Sequence, residues 1–69
     1  MDCEEKARLV VDYEAKTARF SRAVTVLQSK MATSLKEEYD RLQRLVDEAR
    51  VESEGARLAL ESHISEHGC

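Results

Sequence analysis

Four residues in this 69-residue sequence have side chains suited to ligating a metal or exchanging a thiol: Cys3, His63, His67 and Cys69. His63 and His67 are four apart, and on a helix that spacing sets both imidazoles on one face, where they can share an ion. With Cys3 and Cys69 they would complete a Cys2His2 tetrahedral set for Zn. A thiol in the first turn of a helix is also drawn toward thiolate by the helix dipole, which suits Cys3 to ligation. A second reading joins the same residues as a Cys3–Cys69 disulfide, a staple worth ~2–4 kcal/mol in a small scaffold. The opening residues are acidic and carry no export signal, which points to reduced thiols and a cytoplasmic setting. The third reading is inert: free thiols, and terminal histidines favoured by the dipole at a helix C-terminus. All three remain open from the sequence.

Catalysis has less support. Cys3 beside His63 is formally a nucleophile–base pair, yet nothing in the sequence supplies an oxyanion hole or a substrate cleft. The carboxylates fall mainly on solvated helix faces, and phosphate-cradling Gly-rich loops are absent. The expectation is therefore a protein that is not an enzyme.

The elements that must position these residues are helical. The chain has no Pro and two Gly, 36% of it is charged, and three aromatics are too few for an ordinary globular core. Apolar residues recur with the period of about 3.5 residues that marks a left-handed supercoil. In the first half the seam reads Cys3, Val10, Tyr13, Thr17, Phe20, Val24, Leu27 and Met31, with Lys6 and Thr17 the departures. In the second it reads Leu35, Tyr39, Leu42, Val46, Ala49, Ser53, Ala56, Leu60, His63 and His67.

Residues 31–34, Met-Ala-Thr-Ser, are where the chain would break. Asp2 with Glu5, and Ser34 with Glu37, have the spacing of capping boxes at two helix starts. The alternative is one helix of about 65 residues, ~100 Å long. Charge placement decides between them. Folding the chain so that Val10 faces Ala56 sets Tyr13 against Ser53, Thr17 against Ala49 and Phe20 against Val46. On the flanks Lys30 then meets Glu38, Lys16 meets Glu52 and Glu14 meets Arg50, while Ala23 meets Leu45 and no like charges oppose. The sequence therefore reads as all-α: one antiparallel coiled-coil hairpin over residues 1–69, with helices at about 2–31 and 35–67 and a turn at about 32–34. The same register gathers Cys3, His63, His67 and Cys69 at one end, with Gly68 suited to a left-handed helix stop.

The opening Met1-Asp2-Cys3-Glu4 and the closing residues 61–69, Glu-Ser-His-Ile-Ser-Glu-His-Gly-Cys, resemble the ends of small uncharacterised bacterial helical-hairpin proteins. That resemblance implies a free-standing small protein and carries no mechanism. The tRNA-binding arm of seryl-tRNA synthetases shares the architecture, but the net charge of −3 here opposes phosphate binding. Lys16, Arg19, Arg22 and Lys30 lie in a stretch without acids, which reads as a solvated face with partners on the acidic second half. No apolar run approaches the ~20 residues of a membrane span. Leu9, Val11, Val26, Leu45, Val51, Leu58 and Ile64 fall off the seam, enough on so thin a scaffold to imply a second packing surface. The expected role is a protein-interaction or structural module acting by helix–helix packing, with a homodimeric four-helix bundle as its form or a helical protein as its partner. The alternative is a small Zn-binding or redox-responsive protein.

Overall fold

The computed structural model of the chain describes residues 3–68, with side chains from Glu4 onward. Two helices, α1 (Cys3–Lys30) and α2 (Lys36–His67), run antiparallel and pack along their length, and the described residues contain no strand. The molecule measures 52 × 13 × 10 Å between Cα extremes, which rules out the continuous rod and gives the hairpin. No helix among the described residues is long and apolar enough to cross a membrane.

The seam is buried as the heptad pattern requires. Leu27, Val46, Ala49 and Ala56 are the buried residues, and no polar or charged residue among those described joins them. Val10, Tyr13, Phe20, Val24, Tyr39, Leu42 and Leu60 are half-buried around them. Ala49 and Ala56 are each 5% exposed: a methyl group is small enough to be covered by the bulkier side chains of the opposite helix.

Met31 and Leu35 depart from the expected seam: they are 58% and 77% exposed. Both lie in the connection between the helices, where the backbone has left helical geometry and the heptad pattern no longer aims a side chain at the partner helix.

The connection itself differs from the capping-box expectation. Lys30 O accepts from Thr33 N at 3.2 Å and from Ser34 N at 2.9 Å, which closes α1 with backbone bonds. The residue at the N-cap of α2 is Leu35, in extended conformation and without a side-chain cap; its carbonyl accepts from Tyr39 N at 2.9 Å. Ser34 Oγ is shielded from solvent and has no hydrogen-bond partner. Ser34 therefore lies one residue too early to reach the orphan amides of α2, and Glu37 and Glu38 meet the positive end of the dipole instead. The expected Asp2 cap lies outside the described residues. At the far end Gly68 adopts φ 69°, ψ 13°, and its N–H donates to Ile64 O at 2.8 Å, the left-handed stop expected of it.

The contacts across the seam also differ from those expected. Thr17 Oγ1 lies 3.3 Å from Ser53 Oγ, and Arg19 Nη1 donates to Glu52 Oε2 at 2.7 Å. Thr17 thus touches a residue one turn further along α2 than Ala49, and Glu52 is engaged three residues further along α1 than Lys16. Lys16 turns instead to Asp12 on its own helix, at 3.0 Å, and neither Lys30–Glu38 nor Glu14–Arg50 forms an ion pair among the described residues. Exposed pairs contribute only ~0.2–1 kcal/mol, too little to hold a register against the packing of the seam.

Candidate functional site

At the chain-end of the hairpin α2 carries His63 and His67 on one face, as the four-residue spacing requires. Their ring centroids are 4.7 Å apart with the planes tilted by 42°. His63 is half-buried, and its Nε2 is shielded from solvent with no hydrogen-bond partner. His67 is exposed, and its Nε2 lies 3.9 Å from Glu66 Oε2. The Cys3 side chain and Cys69, the thiol half of the expected site, lie outside the described residues. Among the described residues no group of three or more His, Cys, Asp or Glu side chains converges as a metal site would need. What the described residues bring together is the imidazole pair.

A second feature lies midway along the molecule, on one of its two broad faces. Ala23 and Val26 from α1 and Leu45 and Ala49 from α2 floor a groove of about 350 Å³ between the helices. Arg19 and Arg22 rim it on the α1 side, Glu48 and Glu52 on the α2 side. Arg19 and Glu52 are joined across it. Arg22 lies three residues beyond Arg19, and Glu48 four residues before Glu52, so these two stand at matching height one turn nearer the connection. Neither has an ion-pair partner among the described residues.

Sequence reasoning found the floor, through the apolar flank pair Ala23–Leu45 and the off-seam Val26. It missed the rim. The signal was present in the acid-free stretch from Lys16 to Lys30 facing an acidic second helix, and only the register tells which base stands beside which acid.

The opposite broad face is built differently. By heptad position it presents Ser21 and Gln28 from α1, and Gln43, Arg50 and Arg57 from α2. Several of its polar groups find partners along their own helix. Gln43 Nε2 donates to Asp47 Oδ1 at 3.4 Å, and Thr25 Oγ1 donates to Ser21 O at 3.0 Å. Arg57 bonds both Glu61, at 2.7 Å, and Glu54, at 3.3 Å. The hydrogen bond Arg57 donates to Glu61, and then that to Glu54, raise the Arg57 guanidinium above its ordinary pKa.

Compared with protein-family models, curated proteins and solved structures, the chain shows no significant match.

Proposed function

We propose that this hairpin is a helix-packing module, which acts by covering its exposed apolar surface with another helical surface rather than by catalysis. The observation that carries the reading is the size of that surface. The molecule exposes 5188 Å² at a mass of 7.9 kDa. A compact monomer of that mass exposes about 4,400 Å², and the excess is of the order of the ~800 Å² that each partner buries in a standard protein–protein interface. Val26, Leu45, Val51 and Leu58 are among the large apolar side chains left in solvent. The seam that folds the hairpin is thin, and two long helices need more buried apolar surface than it offers to offset the ordering of their backbones.

Helicity followed by circular dichroism against temperature tests the reading at a series of protein concentrations. A packing module melts at a temperature that climbs with concentration, because its partner surface binds the folded state alone. A cooperative melt at one temperature throughout the series, from a monomeric species, would overturn it.

The imidazole pair favours a second reading, binding of a divalent metal. A shielded Nε2 without a partner among the described residues is a costly arrangement that a Lewis acid would relieve, and rings 4.7 Å apart are near enough for two histidines to share one ion. Metal analysis of untagged protein tests it. Bound Zn together with a chelator-sensitive melt supports the reading; metal-free protein with an unchanged melt removes it.

A further inference from the structure

The partner that the groove fits is a second copy of the same chain. Resting on the packing reading above, we infer that two hairpins stack groove to groove about a two-fold axis parallel to their helices, with Arg22 of each copy paired to the partner copy's Glu48. Three observations carry this. The groove has an apolar floor, and its two rims carry opposite charge, arginines on α1 and glutamates on α2. The charges stand at matching heights, because Arg19 already meets Glu52 and Arg22 and Glu48 lie one turn along from that pair. The inner Arg22 and Glu48 are left without ion-pair partners within the described residues of one copy.

Symmetry then selects the arrangement. An isologous pair stacked face to face has its two-fold in the plane of the interface. If that axis ran across the helices, α1 would lie over α1 and the arginine rim over another arginine rim. When it runs along the helices, α1 of one copy lies over α2 of the other at the same height, and every rim arginine faces a rim glutamate. Either axis makes each helix antiparallel to both neighbours, the up-down-up-down order of a four-helix bundle, so the charged rims choose between them. The floor residues, Val26 and Leu45 foremost, become the core between the hairpins. The opposite face, where Gln43, Thr25 and Arg57 bond along their own helices, becomes the outside.

The test uses two charge reversals. R22E leaves a chain with glutamate at both positions, and E48R leaves one with arginine at both. In the proposed bundle each variant alone sets like charges against each other at two symmetric places, and its dimerisation weakens by about tenfold. An equimolar mixture of the two restores opposite charges at both places, so the heterodimer forms with near wild-type affinity. Sedimentation velocity of each variant and of the mixture reads this directly, and the mixture guards against misfolding, since unfolded variants would not rescue each other. Wild-type affinity for both single variants, or no preference for the mixed dimer, would overturn the axis and the pairing while leaving self-association standing. A wild-type chain that is monomeric and unfolded alone would overturn the second copy as occupant and leave the packing reading intact; a folded wild-type monomer would overturn both.

Discussion

The two broad faces of the hairpin are made by the same two helices, yet they treat their polar groups in opposite ways. On one face Gln43, Thr25 and Arg57 all bond to neighbours three or four residues away, so each helix satisfies its own surface. On the other, Arg19 and Glu52 pair across the helices, Arg22 and Glu48 have no ion-pair partner among the described residues, and Ala23, Val26 and Leu45 lie open between them. A surface finished by local contacts is a surface for water. One that is apolar at its centre and oppositely charged at its edges is half of an interface. Individual exposed apolar residues do not make the distinction, since Val11 and Ile64 are exposed as well, away from the groove.

The largest expected effect undoes both faces at once. Leu27 is the one buried α1 residue among those described, and Leu27→Ala should cost about 2–4 kcal/mol in chemical denaturation by leaving a cavity in the seam. Next comes a change that separates the faces. Leu45→Asp sets a carboxylate on the groove floor and should weaken self-association by at least ~100-fold, whereas Ser21→Asp on the polar face should leave it unchanged. Equal effects from the two would erase the distinction between the faces.

The hairpin was legible in the sequence because the seam repeat and the charge distribution each implied a chain that doubles back at the same place. The register was not, and the reason lies in the repeat itself. Sliding one helix by a turn still leaves apolar residues facing apolar residues, and the exposed charges that would discriminate are individually weak. Thr17 touches Ser53, a contact that the alignment of Val10 with Ala56 did not foresee. Ser34 looked like a cap because serine three residues before a glutamate usually is one, but the bonds to Lys30 O end the turn at Ser34 and pass the cap position to Leu35. The histidine pair was readable because a spacing of four survives any register. Its relation to the cysteines was not, because that depends on the register and on residues at the extreme ends.

Smaller effects sharpen the comparison. Gly55 sits within α2 on the groove side, and an added Cβ would meet nothing within 4 Å. Gly55→Ala should therefore stabilise the helix by about 0.5–1 kcal/mol, read as a higher melting temperature. A loss of stability instead would mean that a partner's backbone lies against that position. Arg19→Ala removes the ion pair that crosses the groove and should cost no more than ~0.5 kcal/mol in low salt, vanishing as salt is raised.

Sedimentation equilibrium of the wild-type chain, run from micromolar to near-millimolar concentration with helicity recorded on the same samples, tests the central claim most directly. The account predicts a helical species of twice the 7.9 kDa chain mass that dissociates only with loss of helix. A fully helical 7.9 kDa species at every concentration would contradict it.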